Sequence, residues 1–234
     1  MQLFFQENIS GNHVELDPEE SKHLVRVLRK SPGDLVQVTD GRGGLFTCKI
    51  DDLSAKKTRL SVLEVERRPE DRHFIHLAIA PTKNQDRMEW MLEKITEIGF
   101  HEITFLITER TEKAYLKQER LEKKIVSACK QSLKTYKPNL NGPKDFEHFV
   151  NDTDFGDFEK FVAHSDTAQP QHLMELATTG TAYLILVGPE GDFSPSELAL
   201  AREKNFRTCS LGHSRLRTET AGLLAVHTLS LLNL

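Results

Sequence analysis

The chain has 234 residues, a formal net charge of -4 and 38% hydrophobic residues, enough to bury a core in one large domain or two smaller ones. The weakly acidic balance excludes a global basic field, so any contact with nucleic acid must come from a local patch. Cys48, Cys129 and Cys209 are odd in number, far apart and without metal-ligand spacing, which implies reduced thiols in a cytoplasmic protein and no metal site. The opening residues lack a basic, apolar leader and no apolar run reaches membrane-spanning length, so a soluble protein is expected.

Residues 1–68 read as strand-rich with one helix. Asp17 caps it, Pro18 takes the first helical position and Glu19 and Glu20 fill the first turn, which opens a helix on which Leu24, Val27 and Leu28 share a face. On the other side Lys22, Arg26, Arg29 and Lys30 form a basic stripe, which spacing alone reads as a solvated helix face. Pro32-Gly33-Asp34 stops the helix. Strands are predicted over 35–39, 45–50 and 58–65, separated by turns at 40–44 and 51–54, and small barrels of this kind commonly serve as RNA-binding appendages.

A charged, proline-containing connection at 67–72 marks the expected boundary between a domain over 1–68 and one over 73–234. From His73 strands and helices alternate, the mark of an α/β domain. A strand at 74–80 precedes a helix with Met88, Met91, Leu92, Ile95 and Ile98 on one face, stopped by Gly99. The next strand, 103–107, runs into Thr108-Glu109-Arg110-Thr111. An arginine at that strand end is placed to meet a ligand or, as cheaply, to make an inter-strand salt bridge. A helix follows from Gln118 to Lys134. Residues 141–156 read as a polar, acidic, irregular surface excursion, and a strand at 160–163 exits through a loop at 164–168, where a lone His164 is ordinarily structural.

Tyr183 to Val187 is continuously apolar and reads as a buried strand. Gly188 and Gly191 then permit close approach of a ligand to bare backbone, and Pro189 stiffens the bend between them. Ser194-Pro195-Ser196-Glu197 is a capping box with proline at the first helical position. Strand, glycine turn and helix is where open α/β sheets place ligands, although tight structural turns use the same residues. A further strand within 206–211 leads through Gly212 into a loop carrying Arg215, Arg217 and Glu219 toward a last helix at 219–232. Its apolar coverage exceeds what one face against one sheet requires, so part of it is expected to face a second subunit.

Val187-Gly188-Pro189-Glu190-Gly191 with Phe193, Ser194 and Glu197, and then Leu211-Gly212 with Leu216-Arg217-Thr218-Glu219-Thr220-Ala221, resemble the signature segments of the ribosomal RNA uridine-N3 methyltransferases of the SPOUT superfamily. The resemblance extends across nearly the whole chain. His23 to Arg29 with Gly33-Asp34 is similar to the helix and turn of the family's N-terminal domain. Lys83, Arg87, Met88 and Glu89 sit where members carry Lys/Arg-Met-Glu, and Glu109-Arg110 resembles a family pair. The chain departs at Lys130, Leu133 and Lys134, where members usually show Glu-Gln-Ser or Glu-Gln-Cys followed by Gly-Arg.

That resemblance implies an N-terminal PUA-like β-barrel and a C-terminal SPOUT α/β domain containing a trefoil knot, assembled as a homodimer. It implies S-adenosyl-L-methionine as cofactor and methyl transfer to N3 of a uridine in small-subunit ribosomal RNA, with the 30S subunit as the expected partner. The cofactor-binding positions carried over are His164, Val187, Gly188, Pro189, Glu190, Gly191, Leu211, Gly212, Leu216, Arg217 and Thr218. The stripe of Lys22, Arg26, Arg29 and Lys30 rises from decoration to an RNA contact.

Such a reaction makes three demands. The methyl donor must be held in line with the base, the N3 proton must be accepted or relayed, and charge developing on the uracil carbonyls needs a cation, for which Arg217 or Arg110 is suited. Glu219 is the carboxylate of the motif and can serve as base, cap a backbone or pair with an arginine. One rival, an enzyme using the glycine turn for a nucleotide phosphate, lacks a Walker lysine and a GxGxxG fingerprint. The other is a non-catalytic RNA-binding or ribosome-assembly protein retaining the fold.

Overall fold

The computed structural model describes residues 2–9, 11–112, 116–152, 155–164 and 171–234. The exit loop expected after residue 163 falls, at 165–168, outside them. The chain divides into two compact units, Met1–Glu70 with Val126–Lys137, and Asp71–Ile125 with Pro138–Leu234.

In the first unit β1 (Leu3–Phe5), β2 (His13–Glu15), β3 (Leu35–Thr39), β4 (Gly44–Asp52) and β5 (Arg59–Arg67) form one sheet in the order β1-β3-β4-β5-β2. β1 runs parallel to β3 and the other pairs are antiparallel. Val36, Val38, Cys48, Ile50 and Leu60 pack with Phe4, Val14, Leu16 and Leu24 in its core. The helix begins as expected: in α1 (Pro18–Lys22) Asp17 Oδ1 accepts from the amides of Glu19 and Glu20, each at 2.8 Å.

It does not continue as expected. His23–Val27 is wound as a π-helix, whose wider turn advances each residue by less than an α-helix does. Leu24 stays buried while Val27 is 64% exposed, so the predicted shared face of Leu24, Val27 and Leu28 is broken. The basic stripe is interrupted too, since Arg29 lies past the helix end with φ of 51°; Lys22, Arg26 and Arg29 are exposed, and Lys30 approaches Asp34 at 4.0 Å. The family departure at Lys130 has a local partner: its ammonium donates to buried Glu20 Oε1. Burial pushes the Glu20 carboxyl upward, against the opposing pull of Lys130.

The second unit alternates as α/β folds do: β6 (Phe74–Ile79), α2 (Gln85–Ile98), β7 (Glu102–Ile107), α3 (Gln118–Gln131, running on into the segment grouped with the first unit), β8 (Asn139–Asp145), α4 (Phe146–Asp152), β9 (Glu159–Ala163), α5 (Leu173–Leu176), β10 (Ala182–Val187), α6 (Pro195–Glu203), β11 (Arg207–Cys209) and α7 (Thr218–Leu232). Its six strands are all parallel, in the order β11-β9-β10-β6-β7-β8. Strands covered on both faces read as continuous apolar runs, and Tyr183 to Val187 are at most 2% exposed. α2 and α7 pack on each other, with α7 also against β6 and β10. Gly222 permits this approach, because a Cβ there would stand 2.7 Å from Met91 Sδ and 2.8 Å from Ile79 Cδ1.

The expected irregular excursion at 141–156 is instead β8 and α4, with 153–154 outside the described residues. β8 is the edge strand, which explains its polar composition and its tolerance of Pro143. Phe146, Phe149, Val150 and Phe155 are buried in a cluster with Leu184, Leu186, Phe193, Leu198 and Phe206. Beneath them His76 Nε2 meets Thr104 Oγ1 at 2.9 Å, and Asn141 Nδ2 donates to Thr104 Oγ1 and Glu102 Oε1. Burial lowers His76 to about 4, helped by Lys144 and opposed by Glu102. All three cysteines are buried, which pushes their thiols to about 11 at Cys48 and Cys129 and about 12 at Cys209. They are therefore inert at neutral pH.

Candidate active site

Three loops leave the carboxyl edge of neighbouring strands β11, β9 and β10, and together they line an open cavity of 480 Å³. Its lining comprises Ala163 and His164 after β9, Val187 to Asp192 after β10, and Ser210, Leu211, Gly212, Ser214, Arg215, Leu216, Thr218 and Ala221 after β11. Parallel strands end with their backbone groups directed beyond the sheet, which is why ligands settle at this edge.

The β10 loop is held by specific contacts. Gly188 carries no side chain because a Cβ there would approach the Phe193 ring and amide at 3.2 Å. Thr218 Oγ1 donates to Gly188 O at 3.1 Å, which ties the start of α7 to the glycine turn. Ser194 caps α6 in the predicted box, its amide donating to Glu197 Oε2 at 2.8 Å, and the other oxygen of Glu197 accepts from Glu109 N at 2.8 Å. One buried carboxylate thus joins the loops after β7 and β10. Arg110 Nη1 donates to Gly191 O at 2.7 Å.

The structure brings most of the sequence-named residues together. His164, Val187, Gly188, Pro189, Glu190, Gly191, Leu211, Gly212, Leu216 and Thr218 all line the cavity. Arg217 and Glu219 lie on adjoining positions outside that lining. Arg217 is the exposed N-cap of α7, without a side-chain capping bond. Glu219 is buried in the first turn, its Oε1 3.7 Å from Arg87 Nε and its Oε2 without a hydrogen-bond partner among the described residues. Arg87 in turn lines a second recess with Lys83, Asn84, Arg120 and Glu190, the last shared with the first cavity.

Two contributors escaped the sequence reading. Arg215, in sequence only a loop charge, lines the cavity. Asp192 adopts φ of 62° and its Oδ2 lies 2.8 Å from His164 Nδ1, while its Oδ1 accepts from Phe193 N at 2.7 Å. An aspartate following a glycine in a tight turn is a detectable signal for left-handed backbone, but its long-range partner is not.

The cavity lies within the range of about 300–1,000 Å³ typical of small-molecule sites. It offers apolar walls at Val187, Leu211 and Leu216 beside Glu190, His164 and bare backbone, a mixture suited to a ligand with a flat ring system, hydroxyls and a charged end. Comparison with known proteins agrees in kind. Residues 69–230 match the RNA methyltransferase domain family, and residues 16–63 match the RNA methyltransferase PUA domain. The chain is 29% identical to ribosomal RNA small subunit methyltransferase E of Bacillus subtilis, over 98% of this chain and 96% of that protein. It superposes on the crystal structure of a "probable rRNA-methyltransferase" from Porphyromonas gingivalis with a TM-score of 0.91 and 41% identity, covering 99% of both chains. It is also similar to ribosomal RNA small subunit methyltransferase E from Neisseria gonorrhoeae bound to S-adenosyl methionine, with a TM-score of 0.86 and 25% identity over 100% of this chain and 98% of that one. A glycine-lined cavity at the carboxyl edge of a parallel sheet and a match spanning most of the sequence lead to one conclusion: this chain belongs to the RNA methyltransferase domain family.

Proposed function

We propose that this chain binds S-adenosyl-L-methionine in the cavity after β9, β10 and β11 and transfers its methyl group to N3 of a uridine in small-subunit ribosomal RNA. The observation that carries the reading is a 480 Å³ cavity lined by three strand-end loops, Gly188, Gly191 and Gly212 among its lining. The bound cofactor supplies an electrophilic methyl group on a sulfonium. The backbone from Gly188 to Gly191 and from Leu211 to Leu216 orients it, and Thr218 closes one side. Arg217, exposed and next to a cavity residue, stabilises negative charge on the uracil carbonyls as N3 loses its proton. Arg110 holds the β10 loop through Gly191 O. Glu219 keeps the start of α7 against Arg87.

The same reading makes the first unit a PUA-like barrel that meets RNA phosphates through Lys22, Arg26, Arg29 and Lys30, and gives the second unit a trefoil knot. The half-exposed side of α7, Leu224 and Leu231 included, packs in a homodimer, and the protein works in the cytoplasm on RNA of the 30S subunit. The test is incorporation of labelled methyl groups from S-adenosyl-L-methionine into small-subunit RNA prepared from cells lacking the chain, with the product nucleoside identified. N3-methyluridine at a defined position is expected, with Arg217→Ala slower by on the order of a hundredfold in single turnovers at unchanged cofactor affinity. RNA binding without incorporation would favour the non-catalytic assembly reading.

A further inference from the structure

N3 of uracil is a poor nucleophile while it keeps its proton, and the fold provides a place for that proton. Among the side chains lining the cavity, Glu190, Asp192, Arg215 and His164 are titratable. Glu190 and Arg215 are exposed, whereas the His164 side chain is 11% exposed and fixed by Asp192 through Nδ1 at 2.8 Å. A carboxylate only accepts, so Nδ1 carries a ring hydrogen, and in the neutral ring Nε2 is left with a lone pair. No hydrogen bond to Nε2 is found among the described residues. Asp192 holds this position from a left-handed turn conformation that aspartate tolerates, stapled by its own bond to Phe193 N.

We infer that His164 is the proton acceptor of the methyl transfer and that Asp192 is its positioning residue. The inference rests on the functional reading above. N3–H gives its proton to His164 Nε2, forming an imidazolium that the Asp192 carboxylate compensates. The N3 electron pair then bonds the methyl carbon as the carbon–sulfur bond breaks and its pair stays on sulfur. The uracil ends neutral and methylated, the sulfur ends as a neutral thioether, and the imidazolium releases its proton to solvent. The Ser-His-Asp arrangement of hydrolases uses the same division of labour, with the carboxylate fixing the tautomer of the base.

The test combines one measurement without cofactor and one with it. Nitrogen NMR of the imidazoles in the free protein should show His164 with hydrogen on Nδ1 and a bare Nε2. In Asp192→Gly, whose glycine adopts the same φ freely, that preference should be lost while the turn persists. In single turnovers with saturating cofactor, His164→Ala should fall by on the order of a hundredfold or more, with calorimetric affinity for S-adenosyl-L-methionine within about threefold of wild type. Its rate should recover as pH rises toward the ionisation of uracil, and added imidazole should restore part of it at neutral pH. Asp192→Gly should lose on the order of tenfold or more by the same route. A hydrogen on Nε2 in the free protein, a His164→Ala rate close to wild type, or a loss matched by weakened cofactor binding with no imidazole rescue would each overturn the assignment. A wild-type chain that binds cofactor but methylates no RNA would instead overturn the functional reading beneath it.

Discussion

The two halves of the six-stranded sheet handle the same problem in opposite ways. In the half formed by β6, β7 and β8, polar groups are answered by side chains: His76, Thr104, Asn141 and Glu102 bond to one another, Thr108 N donates to Thr111 Oγ1, and Glu109 N donates to Glu197. In the half formed by β10, β9 and β11, the strand ends open into a cavity whose lining includes three glycines. The lesson concerns where a fold can afford emptiness. The closed half supplies rigidity, and through Glu109 N, which donates to Glu197, and Arg110, which donates to Gly191 O, it reaches across to brace the β10 loop whose outer surface must stay bare.

The largest expected effect tests the closed half through pH. His76 ionises near 6.5 when unfolded and near 4 when folded, because burial disfavours its charged form. Stability is therefore intact above about pH 6.5 and declines as pH falls toward 4, by up to about 3 kcal/mol. Urea midpoints between pH 7 and 4.5 should follow this decline, and the slope should flatten in His76→Gln; an undiminished slope in that variant would assign it elsewhere.

The brace comes next in size. Glu197→Ala removes the N-terminal box of α6 and leaves the amides of Ser194 and Glu109 without their acceptor, a loss of about 2 kcal/mol. Thermal denaturation should show a midpoint lowered by about 4–8 °C, and cofactor affinity should fall with it. If affinity survives while stability falls, the two halves are less dependent on each other than this bracing implies.

The smallest effect separates the two glycines of the open half. Gly188→Val must displace the Phe193 ring or amide, whereas a Cβ at Gly191 meets Arg110 Cδ at 3.4 Å and Arg110 Cβ at 3.6 Å, both ordinary contacts. Calorimetry should show S-adenosyl-L-methionine affinity about tenfold weaker for Gly188→Val, a difference of about 1.4 kcal/mol, and nearly unchanged for Gly191→Ala. Equal effects would mean that backbone freedom matters there more than close packing.

Local rules carried the reading of the sequence a long way. Asp17 and Ser194 cap their helices as proposed, Gly99 ends α2, and the apolar run to Val187 is a fully buried strand. These outcomes depend on neighbours within a few residues, which is the range over which capping and periodicity act. The family motif added the positions around the cavity, since glycines and a threonine at fixed spacing are readable without coordinates. Tertiary structure decided the rest. The strand and helix at 139–152 were missed because an edge strand needs only one apolar face and a seven-residue helix shows little periodicity. The exposure of Val27 depends on a π-turn that no spacing rule announces. The partners of charged residues were the least legible of all: Lys130 finds Glu20, Glu219 finds Arg87, and His164 finds Asp192. Each pair joins positions 28 to 132 residues apart, and sequence order carries no information about which charges meet once a parallel sheet brings distant loops to one edge.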